Sequence, residues 1–408
     1  MNINEIRHLF PTLSRKVYGK DLVYFDNAAT SQRVKGVLDE WNRISSESNA
    51  NIHRAVHRLA DEATQAYEQA RDSVKDFLNA SSREEIIFTS GTTAAINLVA
   101  FCFGEAYVRE GDEVVVTEAE HHSNIVPWQM MCQRKKAVLK VLPVDDSGHL
   151  VVEKLDELLT ERTRILAVTH ISNVLGLINP VKEIIEKCHE RGVKVLVDGA
   201  QGAVHSRIDV KDLDCDFYVF SGHKLYAATG TGVLYGRKEL LEDMPPYMGG
   251  GEMVGTVRFT GTTYAPLPMK YEAGTQNFAS AATLKPAIEF INSLNDNELI
   301  KYNDKVRDYL LEELTKDERI TLYGVPRGTS EEKIPLFSFT VKGVHHEDLA
   351  LILDKMGIAV RSGQMCAEPL MDRFGVTGMI RVSLAPYNTM EEAEYFVKCL
   401  DRAINMLK

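Results

Sequence analysis

Val193-Lys194-Val195-Leu196-Val197-Asp198-Gly199-Ala200-Gln201 and, further on, Phe217-Tyr218-Val219-Phe220-Ser221-Gly222-His223-Lys224 each run from a short apolar segment into polar residues and a glycine. Short continuous apolar runs bounded by turn residues read as strands buried on both faces, as in a parallel sheet covered by helices. Ligands of an open α/β sheet bind just beyond the carboxyl ends of its strands. Asp198 and Lys224 both stand at such an end.

Outward from that pair, strand-like runs at 86–89, 113–117, 138–144, 164–170, 193–197, 216–220 and 232–235 are mostly separated by helix-like segments. That rhythm predicts an α/β fold with a mostly parallel seven-stranded sheet. On the N-terminal side, residues 1 to about 20 read as a short amphipathic helix and a turn, followed by the strand Leu22–Phe25. The small residues Asn27-Ala28-Ala29-Thr30 come next and would let backbone approach a ligand, and 61–78 has helical spacing. From Met244 to about Phe278 the chain is rich in Gly, Pro and Thr and reads as long loops, which in compact domains are usually functional. A helical stretch from about Ala281 to Leu314 leads into strands at 319–325, 334–341, 358–362 and 379–384 with helices at about 346–356 and 390–407, a smaller α+β unit.

Composition narrows the function. A chain of 408 residues with 44% hydrophobic content can bury a large core and suggests two domains, and a net charge of −11 without a basic, aromatic-studded patch disfavours nucleic acid. The N-terminus has no basic segment leading into an apolar one, and no uncharged run approaches a membrane span, so a soluble, cytoplasmic protein is expected. The six cysteines form no Cys-x-x-Cys pair, and neither His121-His122 nor His345-His346 has a partner at helical spacing, so no metal site is expected. Most of the cysteines read as small buried hydrophobes, with Cys102, Cys188 and Cys399 inside helix-like patterns and Cys132 at the end of one, whereas Cys366 lies in the polar loop Arg361-Ser362-Gly363-Gln364-Met365-Cys366-Ala367.

A lysine and a carboxylate at adjacent strand ends suit pyridoxal 5'-phosphate: the amine forms an imine with its aldehyde, and the carboxylate keeps its pyridine nitrogen protonated. Taken singly, Asp198 also reads as a helix cap and Lys224 as a solvated lysine. Ser90-Gly91-Thr92-Thr93 follows a strand and opens a helix, where free N–H groups and hydroxyls can cradle a phosphate or simply cap the helix. Glu120-His121-His122-Ser123-Asn124 follows another strand, and its histidines are either structural or placed against a ligand ring. Asn173 and Gln201 follow strands too, with turn or capping roles as the competing reading. Arg381 sits inside the apolar strand 379–383, where it needs an anion, from a substrate carboxylate or a buried ion pair.

The runs Asp198-Gly199-Ala200-Gln201 and Ser221-Gly222-His223-Lys224-Leu225-Tyr226, with Phe25-Asp26-Asn27-Ala28-Ala29 and Arg381-Val382-Ser383-Leu384-Ala385 at either end, resemble the class V aminotransferase superfamily of fold-type I pyridoxal phosphate enzymes. Within it the chain resembles the SufS-type cysteine desulfurases over nearly its whole length. The resemblance implies a large domain at 21–284 and a small domain from 1–20 and 285–408. It implies that Lys224 carries the cofactor, that Asp198, Gln201 and His121 hold its ring, and that Thr92, Thr93, Ser221 and His223 hold its phosphate, with Thr275 reaching across a homodimer. His121 would also move protons, a role suited to an imidazole titrating near about 6.5. Arg381, Asn173, Arg361, His53 and Ala28 would face the substrate, and Cys366 would take its sulfur. The implied activity is conversion of L-cysteine to L-alanine for iron-sulfur cluster assembly, with a sulfur acceptor protein of the SufE or SufU type. A selenocysteine lyase, a related aminotransferase and an inactive scaffold remain as alternatives. The chain departs from the pattern at Gln364 and Met365, where histidines are expected, which leaves the activation of Cys366 open, and at Ala227-Ala228 in place of Gly-Pro.

Overall fold

A computed structural model describes residues 2–294 and 297–408. Seven strands form the main sheet: β1 (Ile86–Thr89), β2 (Glu113–Thr117), β3 (Val138–Leu142), β4 (Thr163–Thr169), β5 (Lys194–Asp198), β6 (Phe217–Ser221) and β7 (Gly232–Gly236). Their order is β1-β7-β6-β5-β4-β2-β3, and only β7 runs against its neighbours. Every residue of β2, β5 from Val195, β6 and β7 is buried, because helices such as Thr92–Tyr107 and Val181–His189 cover the faces with separate apolar layers. Reversal of β7 places Gly232 beside both Ser221 and Thr89. A Cβ on Gly232 would lie 2.8 Å from the Gly91 nitrogen and the Phe220 carbonyl oxygen, so only glycine lets these backbones converge.

The expected loop region 244–278 contains a hairpin, β8 (Val254–Arg258) with β9 (Gly261–Tyr264). Its residues are almost all exposed, so no face alternates in polarity and the composition alone reads as loop. The expected helix 281–314 is divided into Phe278–Ala282, Leu284–Ser293 and a helix from Asn297 to Lys316; positions 295 and 296 of that stretch lie outside the described residues. A second sheet, β10 (Ile320–Tyr323), β11 (Leu336–Val341), β12 (Arg361–Gly363) and β13 (Met379–Ser383), has the order β10-β11-β13-β12 and is antiparallel throughout. The helices Asn297–Lys316, His346–Lys355 and Met390–Leu407 contribute to its core. Val23–Tyr24 pairs in parallel with Ile358–Ala359 in a separate two-stranded sheet, and Val23 and Phe25 pack into the core beneath the second sheet.

The N-terminal helix Ile3–His8, closed by an Asn2–Glu5 capping box, leads to Phe10. That ring packs on Tyr226, Phe290 and Tyr387 at centroid distances of 5.9, 5.3 and 4.5 Å. Burying aromatic rings edge to face favours such a cluster beyond the area removed from water. Tyr226 is two residues past Lys224 and has φ of +64°, so the cluster supports the turn that carries the lysine. Among the described residues no helix is long and apolar enough to cross a membrane, and no group of three or more His, Cys, Asp or Glu side chains is placed to hold a metal.

Candidate active site

The carboxyl ends of β1, β2, β4, β5 and β6 open into a cavity of about 220 Å³, closed on the far side by Arg361, Met365, Cys366 and Arg381 from the second sheet and its loop. Its lining includes Ala28, Thr92, Thr93, His121, Asn173, Asp198, Gln201, Ser221, His223 and Lys224. Sequence positions from 28 to 381 therefore meet in one space.

Asp198 ends β5, is 3% exposed, and accepts the Ala200 N–H at 2.9 Å. Burial raises its pKa, a cost that its hydrogen bond and the Lys224 charge oppose. Lys224 follows the end of β6, and its turn is braced by Thr30 and Ser31, whose hydroxyls donate to the His223 carbonyl at 3.2 and 3.1 Å. Burial lowers the Lys224 amine to about 8, against the pull of Asp198 and with help from Arg381. The neutral amine, the form that adds to an aldehyde, is therefore far more populated near neutrality than on an ordinary lysine.

Beside them, Gly91 has φ of +149° at the N-terminus of the helix Thr92–Tyr107. The Thr92 N–H donates to Ser221 Oγ at 2.8 Å, and the two hydroxyls lie 2.8 Å apart. Hydroxyls and N–H groups gathered at a helix N-terminus suit a phosphate. His223 Nδ1 is 3.2 Å from Thr30 Oγ1, and burial lowers this imidazole to about 4.

His121 accepts the Ser123 N–H at Nδ1, 3.0 Å, which puts the proton of the neutral ring on Nε2. The expected titration near 6.5 is corrected: burial, then the charges of Lys224 and other neighbours, bring it to about 4. His121 is thus neutral at pH 7 and must take up a proton before it can deliver one. Glu120, which sequence reasoning passed over, is completely buried behind it and accepts from Thr117 Oγ1, Asn124 Nδ2 and the Thr169 N–H at 2.6, 2.6 and 2.7 Å. These bonds tie the end of β2 to the end of β4, while burial raises the carboxyl to about 8. A glutamate straight after a strand and before the histidines was the available signal.

Arg381, on β13, donates from one terminal nitrogen to the Asn173 carbonyl at 2.9 Å and from the other to Asp26 at 3.3 Å. Its Nε is buried without a partner. Asp26 therefore supplies the buried ion pair, and Arg381 is brought to the cavity wall with its charge only partly committed to that partner. Arg361 pairs with Arg381 across β12 and β13, lies 3.9 Å from Asp26, and is half exposed. Asn173 Nδ2 donates to the Met365 carbonyl at 2.9 Å, and Gln201 Nε2 to the Ala28 carbonyl at 2.9 Å.

Cys366 is exposed, whereas the other five cysteines are buried. Burial pushes Cys102 and Cys188 up to about 12 and Cys132 to about 11, which leaves those thiols protonated and inert.

Two expected site residues do not line this cavity within one chain. His53, with φ of +69°, packs edge-on against Tyr67 at 5.8 Å, and Thr275 is exposed. Both sit near one buried network: Arg71 grips Glu272 with two bonds of 2.7 and 2.8 Å, and Tyr67 donates to Glu272 at 2.7 Å. Glu272 also accepts the Phe88 N–H at 2.7 Å, which fixes the start of the 272–275 loop to β1.

The family described as Aminotransferase class-V matches residues 23–396. A cysteine desulfurase of Enterobacter sp. (strain 638) is 46% identical over 99% of both chains, and a probable cysteine desulfurase of Halalkalibacterium halodurans is 46% identical over 98% of both. The crystal structure of the Escherichia coli cysteine desulfurase CsdA in its S-sulfonic acid form superposes with a TM-score of 0.92 and 40% identity over 100% of both chains. The apo cysteine desulfurase of Thermococcus onnurineus NA1 gives a TM-score of 0.90 and 35% identity, covering 98% of this chain and 99% of its own.

Proposed function

Because this chain belongs to the class-V aminotransferase family, we infer that its cavity serves a pyridoxal 5'-phosphate-dependent cysteine desulfurase. The observation that carries the reading is Cys366, an exposed cysteine opening onto the same cavity as Lys224 and Arg381. An aminotransferase has no use for a thiol there.

The residues fit the cofactor. Asp198 is a buried carboxylate with Lys224 as the cation acting on it, so a protonated ring nitrogen would relieve its burial cost. Asp198, Gln201 and His121 would hold the ring, Thr92, Thr93, Ser221 and His223 the phosphate, and Lys224 the aldehyde carbon. When bound, the cofactor supplies an aldehyde for the substrate amine and a ring that holds the electron pair left by the α-proton.

Arg381 takes the substrate carboxylate, with Asn173 and Asp26 fixing its guanidinium and Arg361 adding charge. Lys224 removes the α-proton. The Cys366 thiolate then attacks the substrate sulfur, the carbon–sulfur bond breaks with its electron pair going to the β-carbon, and a proton from His121 at the β-carbon together with return of the α-proton from Lys224 completes alanine. L-cysteine and the Cys366 thiol thus become L-alanine and a Cys366 persulfide. In this reading 21–284 binds the cofactor, and 1–20 with 285–408 carries the nucleophile. The persulfide feeds iron-sulfur cluster assembly in the cytoplasm through an acceptor protein of the SufE or SufU type. Incubation with L-cysteine and a thiol reductant tests the activity: equal amounts of alanine and sulfide are expected, and pyruvate with ammonia in place of alanine would overturn it.

Replacing Arg381 with leucine removes a charge-assisted bond to the carboxylate worth about 1.5–3 kcal/mol. The KM for cysteine is expected to rise about ten- to hundredfold with cofactor content unchanged. Steady-state kinetics with an unaltered KM would remove Arg381 from the substrate site.

Thr275 completes the phosphate site of a partner subunit in a homodimer. Its exposure and its absence from the cavity of its own chain support this, with the buried Arg71–Glu272 pair fixing the start of its loop. Chains carrying Lys224→Ala and Thr275→Trp should each be inactive. Mixed, they should recover about a quarter of wild-type activity, since half the dimers are mixed and each keeps one intact site. Verified heterodimers without activity would contradict shared sites.

A further inference from the structure

Met365 and Cys366 take successive left-handed backbone angles, φ of +56° and +57°, which residues with side chains adopt only where the surroundings hold them. Asn173 Nδ2 holds the Met365 carbonyl, the Ala367 N–H closes a turn onto the Gln364 carbonyl at 3.0 Å, and the His122 backbone N–H donates to the Cys366 carbonyl at 2.8 Å. The helix Glu368–Phe374 begins directly behind, and its first N–H groups need acceptors. Ala367 at the N-cap has no side-chain acceptor, and Pro369 has no N–H. The Glu368 N–H is taken instead by His122 Nε2 at 3.1 Å, from 246 residues away in the chain. That nitrogen must be unprotonated, so the ring carries its proton on Nδ1. The Glu368 carboxylate lies 3.9 Å from the same nitrogen. His121 faces the cavity, whereas His122 is not among its lining residues.

We propose that His122 is a positioning residue that clamps the Cys366 loop, its main chain holding the nucleophile's carbonyl and its ring capping the helix behind it. The proposal rests on the reading of Cys366 as the sulfur-accepting nucleophile. A cap on a protein helix is worth enough that its loss shifts a local equilibrium about five- to tenfold. In the cofactor-loaded enzyme, His122→Leu should therefore lower kcat for alanine formation by about that factor while the KM for cysteine stays within about twofold. Deuterium uptake by amides 364–371 should quicken. His122→Gln, whose amide oxygen can accept where Nε2 does, should restore both kcat and exchange toward wild type. A role in overall stability alone would not give this split between kcat and KM or the rescue by glutamine. Unchanged kcat, unchanged exchange in that segment, or failure of glutamine to restore them would overturn the clamp. A wild-type enzyme that makes no alanine from cysteine would instead sink the desulfurase reading, and the exchange comparison would still test whether His122 holds the loop.

Discussion

Lys224→Ala is expected to lose alanine formation by about 10⁴-fold or more, since one side chain both carries the cofactor and removes the α-proton. Borohydride reduction of the loaded wild-type enzyme should leave the pyridoxyl group on the peptide holding Lys224, and the variant should carry none. The variant should still fold, because the turn is held by Thr30, Ser31 and the Phe10–Tyr226 cluster and not by the amine. Burial, with Arg381 adding to it, brings the amine to about 8. The neutral fraction therefore rises through a midpoint near pH 8 and levels off about a unit above it, and covalent uptake of cofactor by the empty protein should follow that curve. A pyridoxyl group on any other lysine would refute the assignment.

Cys366→Ser should lower alanine formation from cysteine by at least about 10³-fold, because a serine hydroxyl at pH 7 cannot take over from a nucleophilic thiol. Cofactor content should be unchanged. The side chain is exposed, so stability should move by no more than about 0.5 kcal/mol. Substituting Cys102 or Cys188, which are buried and held protonated, should leave sulfur transfer intact in any variant that still folds. Substantial turnover by Cys366→Ser would show that sulfur leaves by another route.

The expected run 113–117 is the observed β2, and Asp198 closes β5 while Lys224 stands just past β6. These features were legible because strands buried on both faces must be continuously apolar, so a polar residue at their end marks the sheet edge. Cys366 stood out from the other cysteines by the polarity of its loop. The hairpin 254–264 was not legible, since strands exposed on both faces carry no alternation. Contacts between distant positions were hidden as well. Asp26 meets Arg381 355 residues later, and His122 meets Glu368 246 residues later. Nothing in the local run around Asp26 or His122 shows such a partner. The neutral state of His121 was missed for the same reason, since its fall to about 4 depends on burial and on Lys224.

The central claim is that sulfur from cysteine comes to rest on Cys366. Loaded enzyme incubated with one equivalent of L-cysteine without reductant, then alkylated, digested and weighed by mass spectrometry, tests it directly. One added sulfur on the peptide containing Cys366, matched by one alanine per site, is predicted. Alanine formed with that peptide unmodified, or the sulfur found on Cys102, Cys132, Cys188, Cys215 or Cys399, would contradict it.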